Sequence, residues 1–510
     1  MSEEAPIQVA IAGAGPVGLT LAALLARRGV RTLVFDRKAE LSERSRAVAL
    51  FPRSLEVLHE SGALDAVVAN GQVNRAIRLR RADTHRLLLD FPFTSLDPIS
   101  ACGFMVAIPQ DRTERAMLAA LEGREGVEVR FGTELTGFEA APDGVSLSFA
   151  DGAAARADYL VGCDGAKSLV RDALGWKLEG KTYPTRAFLA DVRVTAEADS
   201  VDGWRVDTEL PGFVSCIRYA ERCWRIIDQS VPEDEGQADL DARALDHARA
   251  LFGENGVERV LWASSYRKHE RLSDRFVDGR VILAGDAAHL NSPAGGQGMN
   301  SGIRDALNLA WKLDLALSGS GEAERLLASY EQEQRAAFRD EVGPFTDAVE
   351  RMQTAPVWIR KLGFRNLWLG RALGLEERMA RSLSMLFIDY GASTLLAEEG
   401  DLIGRRMPNV MLPSGRLFDL VGRRGLLVDR DGDREAAAMA RRLGLPVARL
   451  PRELDELGFE GVEQILVRPD HVIALASADA LDEGSARHAL GLRPEASPPV
   501  SGRVDAVAAA

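Results

Sequence analysis

The chain has no apolar run of the ~18 residues that a spanning helix needs, so no membrane segment is expected. Basic residues are outnumbered, with 63 Lys and Arg against 76 Asp and Glu and a formal net charge of −13. No Lys/Arg-rich run builds a local basic surface either, which argues against a nucleic-acid partner, because phosphate neutralisation needs one. Cysteine is scarce. Cys102, Cys163, Cys216 and Cys223 show no CxxC spacing and no companion histidine cluster, so neither a disulfide framework nor a metal site is indicated, and buried free thiols are the simpler reading. The start, MSEEAPIQVAIAGAGP, lacks the basic flank of a signal peptide, and a cytoplasmic protein is expected. What remains is ordinary globular composition, 46% hydrophobic and 27% charged over 510 residues, enough for about three domains.

Ile7 to Ala12 reads as a strand and is followed by Gly13-Ala14-Gly15-Pro16-Val17-Gly18. A helix from Pro16 to about Arg28 and a strand from Thr32 to Phe35 complete a β-α-β nucleotide-binding unit. In this pattern Gly13 permits the tight turn, Gly15 admits a pyrophosphate to backbone N–H groups, and Gly18 lets helix pack closely on strand. Gly29 suits a helix C-cap. At the end of the second strand stand Asp36 and Arg37. The Asp36 carboxylate can hold the 2′-hydroxyl of an adenosine ribose and would repel a 2′-phosphate, so the unit suits FAD or NAD and disfavours NADP.

The second informative stretch is RVILAGDAAHLNSPAGGQGMNSGIRDALNLAWKL, Arg280 to Leu313. Val281 to Leu283 form a short buried strand ending at Ala284-Gly285-Asp286. There Gly285 lets backbone approach a ligand, and the Asp286 carboxylate can accept hydrogen bonds from sugar hydroxyls. Pro293 and the run Gly295 to Gly298 then open onto a helix whose apolar residues, Ile303, Leu307, Ala310, Trp311 and Leu313, follow 3.6 periodicity. The N–H groups of Gly298, Met299 and Asn300 thus sit at a positively polarised helix end.

These residues together resemble the GD motif of the single-component FAD-dependent aromatic hydroxylases, the group that contains para-hydroxybenzoate hydroxylase and phenol hydroxylase. The resemblance implies that Asp286 contacts the ribityl chain. It implies that Pro293 lies near the reactive C4a edge and that the Gly298 to Asn300 amides meet the pyrimidine side of a non-covalent flavin. It extends to Arg46-Ala47, where Arg46 is a candidate phosphate or ring contact, and to Gln110, which matches a glutamine that hydrogen-bonds FAD. The stretch from Asp158 to Arg171, with Asp164-Gly165, matches the DG motif used for pyrophosphate and for NADPH passage. The family commonly has glutamate where Asp36 stands.

The fold implied is α/β, a Rossmann-like FAD-binding domain interleaved with a β-sheet substrate domain and followed by a thioredoxin-like domain. The FAD domain is assigned to residues 1–70, 101–175 and 276–340, and an antiparallel substrate domain to 71–100 and 176–275. Phe188 to Thr195 is expected as one strand of that sheet, and Phe213 to Tyr219 pairs with Trp224 to Asp228 across Ala220 to Arg222 as a hairpin. Residues 341–404 read as a helical connection, and RRMPNVMLPSGR, 405–416, as a linker into the C-terminal unit, 405–510. That unit has no cysteine, which excludes thiol redox chemistry there and leaves it a role in folding or association. A soluble, folded chain ending near Arg405 that kept FAD but lost flavin reduction by NADPH would contradict this reading.

Only one dinucleotide fingerprint is present, so NADPH or NADH must bind transiently as co-substrate. The family resemblance implies hydroxylation of a phenolic ring by O2 through a flavin C4a-hydroperoxide. The alternatives are a tailoring oxygenase for a polyketide or other multi-ring natural product and, in a different class, a non-catalytic FAD-binding protein. A flavin-dependent halogenase ranks low, because no WxWxIP segment occurs. The partners expected are a small aromatic or polycyclic substrate, O2 and NAD(P)H, with a homodimer as the candidate assembly. No catalytic residue can be singled out.

Overall fold

The computed structural model describes residues 6–41, 47–200, 204–207, 213–231, 237–365, 371, 373–396 and 400–494. Its first sheet has a parallel core in the order Val281–Leu283, Ala154–Gly162, Ile7–Ala12, Thr32–Asp36, Val127–Phe131. Continuous apolar runs such as IQVAIA suit strands covered on both faces, and Val9, Ala10 and Ile11 are fully buried. The helix Pro16–Ala26 closes one face, and the helix Gly298–Leu317 packs on it. An antiparallel meander, Leu135–Ala141 with Gly144–Phe149, attaches to the start of Ala154–Gly162.

A second sheet of eight strands runs in the order His289–Leu290, Val257–Ser273, Leu178–Val194, Cys223–Val231, Val214–Ala220, Trp204–Asp207, Ala76–Arg81, Leu87–Pro92. The hairpin across Ala220 to Arg222 forms with Arg222 at φ 58°. The strand expected at Phe188 to Thr195 is the inner half of a 17-residue strand, Leu178–Val194. Its outer half, LEGKTYPT, is mostly exposed and carries Gly180 and Pro184, so no alternation announces it. Gln72–Asn74 does not join this sheet but pairs with Met105–Ala107, which also pairs with Ala49–Leu50.

The C-terminal sheet runs Val447–Arg449, Leu426–Asp429, Gln464–Val467, Ile473–Ser477, with the first pair parallel and the others antiparallel. With the helix Arg434–Leu443 between its first two strands and Glu483–Ala489 after the last, it has the thioredoxin-like arrangement.

Residues 405–416 are not a free linker. The Arg406 guanidinium is buried and paired with both Glu56 oxygens, Nε at 2.8 Å, the Asn409 N–H donates to the Ile99 carbonyl at 2.9 Å, and Met407 is fully buried. Sequence reasoning missed this because the partner of Arg406 lies 350 positions away. Nor is the C-terminal unit a detachable appendage. On its hairpin Arg468 is fully buried and donates to both oxygens of Glu333, at 2.7 and 2.9 Å. Glu333 also accepts from Lys312 Nζ and Asn308 Nδ2, each at 2.8 Å, and from Ser393 Oγ at 2.9 Å. Burial pulls the Lys312 ammonium below its ordinary range while Glu333 opposes that pull.

Breaking a buried pair leaves a charge without compensation, at a cost of about 3–5 kcal/mol. Arg468→Ala should lower unfolding free energy by that amount in a urea titration, and a chain ending near Arg405 should fail to accumulate as folded protein. A truncated chain with an intact cooperative transition would contradict this.

Candidate functional site

The three glycines of the N-terminal fingerprint do different work. A Cβ on Gly13, which sits at φ +108°, would lie 2.4 Å from the Cys163 carbonyl oxygen, and one on Gly18 would lie 2.0 Å from the Gly13 oxygen. Both are therefore demanded by packing. A Cβ on Gly15 would meet nothing within 4 Å, so this position faces open space where a phosphate can approach. Pro16 occupies the first turn of a helix that no side chain caps, leaving the N–H groups of that turn for an anion. The Val17 side chain points the other way: added Cβ atoms on Gly285 and Gly302 would lie 2.7 and 2.5 Å from it. It is a wedge joining the two motifs.

Asp36 accepts the Ala14 N–H at 3.0 Å through Oδ2 and the Lys38 N–H at 2.9 Å through Oδ1, which holds its carboxylate beside the glycine loop. Arg37 is exposed. Arg46 lies outside the described residues. Its neighbour Ala47 is held by Gln110, whose backbone N–H donates to the Ala47 carbonyl at 3.1 Å and whose Oε1 accepts the Ala47 N–H at 3.4 Å. Gln110 Nε2 donates to Glu114 at 2.8 Å, and burial pushes the Glu114 carboxyl up to about 6. The Ala47 carbonyl also accepts from Arg225 at 3.0 Å. Arg225, fully buried on the large sheet, is paired twice with Asp191 at 2.8 and 2.9 Å.

Asp164 follows the strand Ala154–Gly162, across from Gly13. Its Oδ2 accepts the Val170 N–H at 3.2 Å, while its Oδ1 is buried with no hydrogen-bond partner among the described residues. Burial raises its pKa. A buried acceptor left open beside an open glycine is what a hydroxyl-bearing cofactor would complete.

At the second motif Gly285 sits at φ +61° and starts the short turn Gly285–Ala287, with Asp286 exposed on it. The residue that sets this turn is one sequence reasoning missed. Asp305 is fully buried, and its Oδ2 accepts the Gly285 N–H at 2.9 Å and pairs with His289 Nε2 at 2.7 Å. Pro293 is half-buried. An added Cβ on Gly295 would lie 2.9 Å from Phe345, so this glycine is pressed against an aromatic ring, whereas one on the exposed Gly296 would make only an ordinary contact with Phe51 at 3.6 Å. Gly298 faces near-open space, its added Cβ meeting only Asn291 at 4.0 Å, and no side chain caps the helix it begins. Met299 is half-buried. The Asn300 side chain is spent on the protein: it accepts the Phe51 N–H at 2.9 Å and donates to Ala49 and Gly296 at 3.0 and 2.9 Å. Only its backbone N–H is left for a ligand.

Beside these motifs, Phe51, Phe93, Ile217, Tyr219, Leu383 and Leu386 form one apolar cluster shared by the FAD-binding region, the large sheet and the helix Leu375–Ser384. Among the described residues no group of acidic, histidine and cysteine side chains could hold a metal, and no helix is long and apolar enough to cross a membrane.

A Rossmann-like parallel sheet with a glycine loop at its first helix, a buried Asp164 carboxylate and a long helix whose N-terminus no side chain caps has the architecture of a flavoprotein of the hydroxylase type. The chain belongs to the FAD-dependent aromatic-ring hydroxylases and is an FAD-dependent monooxygenase. Residues 6–342 match the family described as FAD binding domain, and residues 400–493 that described as aromatic-ring hydroxylase, C-terminal. Rifampicin monooxygenase of Streptomyces venezuelae is 30% identical over 478 residues, covering 92% of this chain and 96% of that protein. Anhydrotetracycline hydroxylase from Streptomyces rimosus superposes with a TM-score of 0.74 at 30% identity, covering 92% of this chain and 95% of the other. Aklavinone-11 hydroxylase, in a ternary complex with FAD and aklavinone, superposes at 0.79 with 26% identity, over 96% and 99% of the two chains.

Two expectations follow. Asp305→Ala, with Asp286 intact, removes a charged hydrogen bond worth ~1.5–3 kcal/mol from the Gly285 turn. FAD should bind roughly tenfold more weakly or worse by equilibrium ultrafiltration, and unchanged affinity would contradict the role given to Asp305. For Glu114 the sign is that of an acid whose folded pKa is raised from 4.5 to about 6: its stabilising share is full below the unfolded pKa and is lost as pH rises through the folded one. Glu114→Gln should therefore be more stable than the parent by up to about 2 kcal/mol at neutral pH. That advantage should vanish near pH 4, as followed by melting temperature across the range.

Proposed function

We propose that this protein consumes NAD(P)H and O2 to place one hydroxyl oxygen on a phenolic ring of a polycyclic natural product of polyketide type. The balance is ring C–H, O2, NAD(P)H and a proton giving ring C–OH, water and NAD(P)+. The observation that carries the substrate class is near-full-length similarity to enzymes named for rifampicin, anhydrotetracycline and aklavinone.

Bound FAD would supply the passage of two electrons to O2 and the transfer of one oxygen atom. The residues of this chain bind and orient. The first-turn amides after Gly15 would take the pyrophosphate, Asp36 the adenosine ribose, Asp164 Oδ1 and Asp286 hydroxyls along the chain, and the N–H groups of Gly298, Met299 and Asn300 the pyrimidine edge, where a helix N-terminus favours negative charge. Phe345, lying against Gly295, would exclude water beside Pro293. With a single dinucleotide fingerprint, NAD(P)H meets the site only transiently, so substrate binding can govern reduction through the Gly295–Gly298 loop and the segment at Asp164.

Anaerobic stopped-flow reduction by NADPH, and separately by NADH, tests this with anhydrotetracycline, aklavinone, rifampicin and simple phenols as additions. Reduction should accelerate many-fold with a multi-ring compound and the same compound should be hydroxylated in air. Acceleration by simple phenols alone would replace the substrate class.

A further inference from the structure

The helix Gly343–Thr354 reaches the loop ahead of Gly298 at two points. Phe345 covers Gly295, and Glu350 Oε2 accepts the Ser292 hydroxyl at 3.0 Å. Ser292 Oγ in turn accepts the Ala294 N–H at 3.3 Å, so this hydroxyl shapes the turn that contains Pro293. The other Glu350 oxygen is paired with the Lys268 ammonium, whose side chain is 0% exposed against 4% for Glu350. Lys268 also donates to the Gln229 carbonyl at 2.7 Å, and its Nζ lies 5.7 Å from the Tyr183 ring centroid. Toward solvent the cluster ends at Tyr183, Glu270, Asp347 and Lys181. The helix bearing Phe345 and Glu350 follows a π-helical turn, Ala337–Val342, a distortion that shifts the register of everything after it.

Burying a Lys–Glu pair costs desolvation, and apolar residues of like volume commonly serve stability as well. Here the carboxylate does something an apolar residue could not: it grips the turn. We infer that Lys268, Glu350 and Ser292 form a positioning unit for the oxygenation, which fixes the Ser292–Gly295 turn and sets the charge felt at the reactive edge of the flavin. The inference rests on the reading that the Gly298 end of the helix receives the flavin ring. Glu350 is a positioning residue, acting through Ser292.

The test uses FAD-loaded full-length protein and sulfite as probe. Sulfite adds reversibly to oxidised flavin: its sulfur lone pair forms the new bond at N5, the ring takes up the negative charge, and the visible band bleaches. Lys268→Met should weaken sulfite binding, and Glu350→Gln should strengthen it, each by roughly threefold or more. A merely structural pair would move both in the same direction. Ser292→Ala keeps both charges but frees the turn and removes one charged hydrogen bond; its sulfite affinity should change at full FAD stoichiometry, with a lowered melting temperature, and Ser292→Thr should restore the affinity. The inference is overturned if Ser292→Ala matches the parent, if Ser292→Thr behaves like Ser292→Ala, if Ser292→Ala loses FAD, or if the two charge variants shift together. Failure of the unaltered chain to bind FAD would instead sink the reading of the helix end.

Discussion

The carboxylate of Glu333 is fully buried and gathers Arg468, Lys312, Asn308 and Ser393 around itself. Such a group has no state with low free energy except one in which all its donors are in place. Those donors come from the long helix Gly298–Leu317, from the C-terminal hairpin and from the segment before residue 396. The long helix is buried on every side from Asn300 to Leu315, so its position is dictated by polar partners as much as by packing. The same helix presents Gly298 at its start. Placing the Gly298 end of the helix and seating the C-terminal unit are thus one structural problem.

A parallel set of contacts reaches the site from the other flank. The helix Pro52–Ser61 follows Phe51, whose N–H is held by Asn300. Arg53 donates to the Asp470 carbonyl at 2.8 Å and pairs with Glu56 at 3.0 Å, while Glu56 holds Arg406. The C-terminal unit has no cysteine with which to pass electrons. Its contacts brace the helices Pro52–Ser61 and Gly298–Leu317, and the buried charge makes that brace depend on every partner.

Much of this was legible in the sequence where function is local. The stretch Gly13 to Gly18 and the Asp36, Asp164 and Asp286 positions are short motifs whose geometry follows from neighbouring residues, and the parallel core and the Ala220–Arg222 hairpin follow from apolar runs and turn chemistry. What stayed hidden depends on pairs distant in sequence. Asp305, Asn308 and Lys312 interrupt the apolar period of their helix, yet all three are buried, because their partners arrive from elsewhere. Arg406 looked like linker composition until Glu56 met it. The division of labour among Gly13, Gly15 and Gly18 was likewise visible as a pattern, but only the structure separates the two glycines pressed by backbone from the one that faces open space.

The central claim is that the FAD site of this chain delivers an oxygen atom from O2 to an aromatic ring. Turnover under isotopically labelled 18O2, with whichever multi-ring compound speeds flavin reduction and with mass spectrometry of the product, tests it most directly. The account requires one labelled oxygen atom in each molecule of product and the second recovered in water. Product oxygen derived from labelled water, or complete recovery of the consumed O2 as hydrogen peroxide with no oxygenated ring, would contradict it.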